Sequence, residues 1–180
     1  MFLIEDQNFL EKKHKDHIDN VILEDSFPWF FNKVSVYPNK LSTPKNVNSF
    51  FTHLVLRRPE DRAEGELFNS TESKFCTDVL DIFCKKNKIK YNEILRISFN
   101  LTFNTGVTKG DLHTDHPYAH KQLIVYLNNC SRKYYTVIKH KHKKIKIEPK
   151  KFKGVCFESM PHYQIFPNKK ERVILVITFR

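Results

Sequence analysis

The residues with the means to do chemistry lie between His113 and Arg172. His113-Thr114-Asp115 sets an imidazole and a carboxylate two residues apart, and His162, after Pro161, adds a second imidazole. Two imidazoles and one carboxylate are a ligand set for mononuclear non-haem Fe(II) that leaves coordination positions open for small molecules. The dipeptide spacing alone decides little, because the sequence holds three His-x-Asp triplets: His14-Lys15-Asp16, His17-Ile18-Asp19 and His113-Thr114-Asp115. Geometry separates them. The first two fall in a segment with helical spacing, where residues two apart point to nearly opposite sides. The third precedes Pro117, in extended or turning chain where positions i and i+2 share a face. That pair alone converges on one ion.

Through His113, Asp115, His162 and Arg172 the sequence resembles the 2-oxoglutarate/Fe(II)-dependent dioxygenases, most strongly over residues 94–180. Within that family it is most similar to the small stand-alone enzymes of large-genome phages that look like prolyl hydroxylases. There a basic residue about ten positions after the second histidine binds the far carboxylate of 2-oxoglutarate. That spacing occurs twice here, at His140/Lys150 and His162/Arg172. His140 lies among lysines whose charge repels a divalent cation. Arg172 opens the run Arg172–Phe179, an unbroken apolar strand pattern apart from Thr178, on which a rigid guanidinium suits two-bond carboxylate binding.

The resemblance implies a mainly β (α+β) fold, a double-stranded β-helix or jelly roll with two flanking helices. It assigns 94–180 to the core carrying the iron site and 1–93 to supporting helices and strands of one domain. It implies Fe(II), 2-oxoglutarate and O2 as cofactors, and hydroxylation of a peptidyl or small-molecule C–H bond coupled to decarboxylation of 2-oxoglutarate to succinate. His113, Asp115 and His162 would be the metal ligands and Arg172 the cosubstrate anchor. Relatives often carry Ser or Thr two residues after the arginine, where this chain has Ile174; Thr178, on the same strand face, stands in as a candidate. Asn100, Thr102, Gln122 and Tyr126 are inward-facing candidates from other strands. His116 and His120 read as outer neighbours of the metal site. Cys130-Ser131-Arg132-Lys133 stands where relatives often have an Asp-Gly or Gly-Gly turn, so the substrate side is expected to differ.

The elements that must position these residues follow from periodicity. Residues 8–24 show an amphipathic helix, with Phe9, Leu10, Ile18, Val21 and Ile22 on one side, His14 and His17 on a solvated face, and Asp6 or Asn8 as cap. Phe27-Pro28-Trp29-Phe30-Phe31 breaks the helix with an aromatic cluster, expected either as a core plug or with one ring lining a substrate cleft. Strands are expected at 34–37 and 50–56, a polar surface loop at 57–70, and a second helix at 73–86. From Ile94, polar Arg96, Ser98, Asn100 and Thr102 alternate with apolar Ile97, Phe99, Leu101 and Phe103, so one face meets the helices and the other a cavity. Further strands are expected near 108–114, 121–127, 134–139, 144–148, 154–158, 163–166 and 172–179.

With 180 residues, sixteen phenylalanines and four glycines, the chain supports one packed domain rather than low-complexity disorder. No stretch reaches membrane-spanning length, and Met1-Phe2-Leu3-Ile4-Glu5-Asp6 lacks the pattern of a secretion signal. Four cysteines without a Cys-x-x-Cys pair read as reduced thiols of a cytoplasmic protein, in a host cytoplasm if phage-encoded. Monomer and homodimer both stay open. Arg132–Lys153 holds ten Lys/Arg against Glu148, within a formal charge of +11. Two rival functions follow: a nucleic-acid-directed oxygenase using that basic segment and its Tyr134 and Tyr135, and a non-catalytic metal-binding jelly roll.

Overall fold

Ten strands and two helices carry the chain in a computed structural model that describes residues 1–33, 48–65 and 68–180. The strands are β1 (Leu3–Asp6), β2 (Phe30–Asn32), β3 (Phe50–Leu56), β4 (Ile94–Thr102), β5 (Lys121–Tyr126), β6 (Thr136–His140), β7 (Lys143–Ile147), β8 (Gly154–Glu158), β9 (His162–Gln164) and β10 (Arg172–Phe179). The helices are α1 (Lys12–His17) and α2 (Ser73–Lys86). A seven-stranded sheet runs β1-β8-β5-β10-β4-β3-β2, and a three-stranded sheet runs β7-β6-β9. Every pairing is antiparallel.

Period-two alternation divides the large sheet between two cores. Ile97, Phe99, Leu123, Val125, Val173, Leu175, Ile177 and Phe179 pack with Val79, Leu80 and Phe83 of α2 and with Ile18 and Ile22. The intervening residues Ile124, Tyr126, Ile174 and Val176 turn the other way and meet Ile138 and Ile147 of the small sheet. All eight residues of β10 are buried because it is central to the sheet and covered on both faces. This is a jelly roll with helices on one outer face, mainly β as expected.

The first helix is shorter than its sequence pattern. After α1 the chain widens into a π-helical turn at Ile18–Ile22, closed by Leu23 N–H donating to Ile18 O at 3.0 Å. The extra residue per turn shifts the apolar phase, leaving Ile18 and Ile22 fully buried and Val21 exposed. His14 is buried rather than solvated, because α1 lies against Phe75 of α2. His17 stacks on the same ring and pairs with Glu72 at 2.7 Å. Neither Asp6 nor Asn8 caps α1; Asp6 Oδ1 instead accepts from the Asn8 N–H at 2.8 Å. The expected strand at 108–114 makes only two isolated bridges, Lys109 with Ile165 and His113 with His162. β1 and β2 were not legible in the sequence, and the strand expected at 34–37 lies outside the described residues. Among the described residues no helix is long and apolar enough to cross a membrane.

Gly154 is fixed by this packing. A Cβ there would lie 2.7 Å from Phe83 Cε2 and 2.8 Å from Phe9 Cε1, two rings already held edge to face. Gly154→Ala is expected to destabilise the fold by about 1–3 kcal/mol, read as a lower urea midpoint. Gly110→Ala, whose Cβ would meet Phe166 at an ordinary 3.5 Å, is expected to leave the midpoint nearly unchanged.

Candidate metal centre

His162 opens β9, and His113 is pinned opposite it by a reciprocal backbone pair. His113 N–H donates to His162 O at 3.0 Å and His162 N–H donates to His113 O at 2.8 Å. This bridge, rather than a full strand, sets the two rings 4.6 Å apart between centroids. Asp115, two residues on, brings its carboxylate to the same point, and the three side chains offer ligand atoms all within 4.8 Å of one another. Among the described residues no other group of three His, Cys, Asp or Glu side chains is so spaced. His14-Lys15-Asp16 and His17-Ile18-Asp19 take no part.

Both imidazoles are oriented from behind. His113 Nδ1–H donates to Asp111 O at 2.9 Å and His162 Nδ1–H to Met160 O at 3.1 Å, which turns each Nε2 lone pair forward. Burial, reinforced by His113, pushes His162 down to about 4. Burial by itself would raise the Asp115 carboxyl, but His162, His113, Arg96 and Arg58 outweigh it and hold the group well below the usual carboxylate range. Asp115 Oδ2 lies 3.8 Å from His162 Nε2, while Oδ1 faces Arg96 at 3.8 Å and Arg58 at 4.0 Å. Two forward-facing imidazole nitrogens and one secure anion form a donor set suited to a divalent metal of nitrogen and oxygen preference. Gln122 of β5 also reaches this point, its Nε2 3.3 Å from His162 Nε2.

The triad opens into a cavity of about 580 Å³ between the sheets, and Arg172 lines the same cavity. Its guanidinium is 1 % exposed. NH2 donates to Thr136 Oγ1 at 2.9 Å, NH1 donates to Gln164 Oε1, and the group lies 5.3 Å from the centre of the Tyr126 ring. The Tyr126 hydroxyl bonds Thr136 Oγ1 at 2.9 Å. Nε of Arg172 is buried and has no partner among the described residues. A buried, incompletely paired guanidinium is costly, and an anionic ligand is the natural complement.

The remaining sequence candidates separate. Thr178 is six residues along β10 from Arg172, roughly 20 Å at strand rise, and its hydroxyl bonds His116 Nε2 at 2.8 Å. It therefore belongs beside His116, not beside Arg172. Thr102 Oγ1 donates to the backbone oxygen of Arg172 at 3.3 Å, and Asn100 Oδ1 accepts from Thr52 at 2.9 Å. Both line the cavity, as does Ile174. Burial, with His120 adding, pushes His116 down to about 4. Three residues went unread, Thr136 and Gln164 at Arg172 and Arg58 at Asp115, while Arg96, expected on the cavity face of β4, stands beside Asp115. Gln164 was accessible in principle, since two residues past His162 on a strand is the same face. Lys139, Lys141, Lys143, Lys144 and Lys146 are exposed on the β6–β7 hairpin.

No family sequence profile matches the chain, and no curated protein matches it in sequence. Solved structures do. An oxidoreductase of the 2OG-Fe(II) oxygenase family from Burkholderia pseudomallei superposes with a TM-score of 0.75 at 13 % identity, covering 98 % of this chain and 84 % of that one. A prolyl hydroxylase from Trichoplax adhaerens, in complex with a hypoxia inducible factor oxygen degradation domain peptide fragment, gives 0.66 at 14 %, covering 98 % and 82 %. The viral collagen prolyl hydroxylase of Paramecium Bursaria Chlorella virus-1, as its 2OG complex, gives 0.56 at 16 %, covering 100 % and 96 %. At such identities the likeness speaks for the backbone alone, and the chain has the jelly-roll fold of the 2OG-Fe(II) oxygenases.

Proposed function

We propose that the protein is a 2-oxoglutarate- and Fe(II)-dependent oxygenase that hydroxylates a C–H bond of a peptidyl or small-molecule substrate. The observation that carries this reading is the placement of the His113/Asp115/His162 set and the buried Arg172 guanidinium in one cavity. A bare metal-binding jelly roll gives no reason to bury an arginine with an unpartnered Nε at the end of that cavity.

His113, Asp115 and His162 would hold Fe(II), a three-residue set that leaves coordination positions for small-molecule ligands. When bound, Fe(II) with 2-oxoglutarate and O2 supplies an oxidant, giving succinate, carbon dioxide and a hydroxylated product. The chain's own residues supply placement. Carbonyls of Asp111 and Met160 keep both ring tautomers fixed, so neither histidine has to reorganise as metal binds. Arg96 and Arg58, facing Asp115 Oδ1, add to His162 and His113 in keeping Asp115 ionised. Arg172, braced by Thr136 and Gln164, would take the far carboxylate of 2-oxoglutarate as a fork, with the Tyr126–Thr136 pair behind it. Ile124, Ile174 and Val176 line the same cavity and keep it poor in water.

The peptide held by the Trichoplax relative makes peptides the first substrates to test. The deciding experiment incubates the Fe(II)-loaded protein with 2-oxoglutarate, O2 and fractionated peptide and metabolite pools. Succinate release matched by a species that has gained one oxygen atom is expected. Loss of 2-oxoglutarate without succinate would overturn the reaction type.

A further inference from the structure

Nine of the chain's eleven net positive charges fall within residues 132–153, where ten Lys/Arg stand against the single acid Glu148. Part of that charge is answered locally: Arg132 faces Glu148, Lys151 faces Asp19 and Lys153 faces Glu5. The five lysines of the β6–β7 hairpin are not. Lys139, Lys141, Lys143, Lys144 and Lys146 are exposed, and among the described residues none has an acid within ion-pair reach. In register, Lys139 of β6 stands opposite Lys144 of β7, and Val137 opposite Lys146. Ile138 and Ile145, between them, pack inward. Alternation therefore turns Lys139, Lys144 and Lys146 to the outer face of the small sheet. Tyr135 shares that face, with Lys146 Nζ 5.0 Å from its ring centre.

Lysines on β7 are a usual guard of an edge strand. Lys139 guards no edge, because β6 lies in the middle of the β7-β6-β9 sheet. Its charge repels that of Lys144 directly opposite. The fold gains nothing from this pair, whereas an anion lying across both relieves it. The rest of the face says which anion. None of the exposed large apolar side chains among the described residues is on the hairpin. A tight protein interface is built on aromatic or apolar anchors, and a helix lying in a membrane surface inserts apolar side chains. Here there is a row of ammonium groups and one half-buried ring. Such a surface suits a phosphodiester backbone, where affinity comes from counterion release and a ring can stack on a base.

We infer that the outer face of the β6–β7 hairpin binds a nucleic-acid strand through Lys139, Lys144 and Lys146. The surface holds the protein on RNA or DNA, whatever its cavity oxidises, so it does not depend on the oxygenase reading. It also lies close to the metal centre along the sheet. Ile138 is opposite His162 of β9, and Lys139 is the next residue toward the hairpin turn.

The test follows a fluorescein-labelled oligonucleotide of mixed sequence, as RNA and as DNA, by anisotropy at ~50 mM and ~200 mM salt. Wild type is expected to bind at the lower salt and to lose roughly twentyfold or more at the higher, as counterion release from three or more phosphates demands. The triple variant Lys139→Gln/Lys144→Gln/Lys146→Gln is expected to bind about tenfold or more weakly at ~50 mM salt, with a log–log salt slope shallower by about two. Lys85→Gln/Lys88→Gln/Lys90→Gln removes the same charge at exposed positions around the end of α2 and is expected to stay close to wild type. Lys139→Gln alone relieves the repulsion with Lys144, so weaker binding without a lower thermal midpoint cannot come from unfolding. Whichever of RNA and DNA binds more tightly names the source. No binding at ~50 mM salt, or equal losses in the two triple variants, overturns the site. Equal affinity for polyglutamate or for phosphatidylserine vesicles, lost in the same hairpin variant, overturns the nucleic acid as partner and assigns the face to an acidic protein or a lipid surface. Fe(II) and 2-oxoglutarate affinities are expected to be unchanged in the hairpin variant, so this surface and the oxygenase reading stand or fall separately.

Discussion

Arg172→Ala is expected to weaken 2-oxoglutarate binding by roughly 30-fold or more, while Fe(II) affinity without cosubstrate stays close to wild type. Removing one partner of a buried charge pair costs about 2–5 kcal/mol, because the other charge is left desolvated and unpaired. Arg172 is 1 % exposed and braced by Thr136 and Gln164, so its fork is already oriented before a carboxylate arrives. Arg172→Lys is expected to fall between, since it keeps the charge and loses the planar fork. Pyruvate, which has no far carboxylate, should bind wild type and Arg172→Ala about equally poorly. Titration calorimetry under anaerobic conditions checks all three, and 2-oxoglutarate affinity unchanged in the alanine variant would reduce Arg172 to a strand residue.

The second large effect is on the metal. His113→Ala and His162→Ala are each expected to lower Fe(II) affinity by roughly a hundredfold or more, beyond the loss typical of removing an outer-shell partner. The fold should survive, because the residues are tied to each other by backbone hydrogen bonds that an alanine keeps. Asp115→Ala should weaken Fe(II) as well, since it removes the anionic ligand while Arg58 and Arg96 stay as cations beside the ion. Metal content after dialysis, with far-UV circular dichroism as the control for folding, reads these effects. Full metal occupancy in both histidine variants would contradict the assignment.

How much of this was legible in the sequence depended on whether a residue's role is set by its near neighbours along the chain. The buried strand at β10 and the two-faced strand at β4 were readable, because alternation is a local property that tertiary structure preserved. His113-x-Asp115 could be separated from its two imitators for the same reason. Arg172 was singled out through the family resemblance, by its place ten residues after His162. The rest was long-range. β1 is four residues long and exists because it pairs with β8, some 150 positions away. Arg58 stands next to Asp115 only because β3 lies beside β4, and nothing around Arg58 announces it. Thr178 was misplaced by counting faces without counting length: it shares Arg172's face but sits at the far end of the strand, against His116. The helical segment 8–24 was overextended because a π-helical turn changes the phase of an apolar stripe without changing its composition.

The central claim is that the triad and Arg172 form one site, in which metal and cosubstrate bind together. Anaerobic equilibrium dialysis of 2-oxoglutarate against the protein, with and without Fe(II), tests it most directly. One Fe(II) and one 2-oxoglutarate per chain are expected, with 2-oxoglutarate binding weakened when Fe(II) is withheld and weakened again by His162→Ala in the presence of Fe(II). Binding of 2-oxoglutarate that is indifferent both to Fe(II) and to His162 would show that the two halves of the site do not act on one ligand.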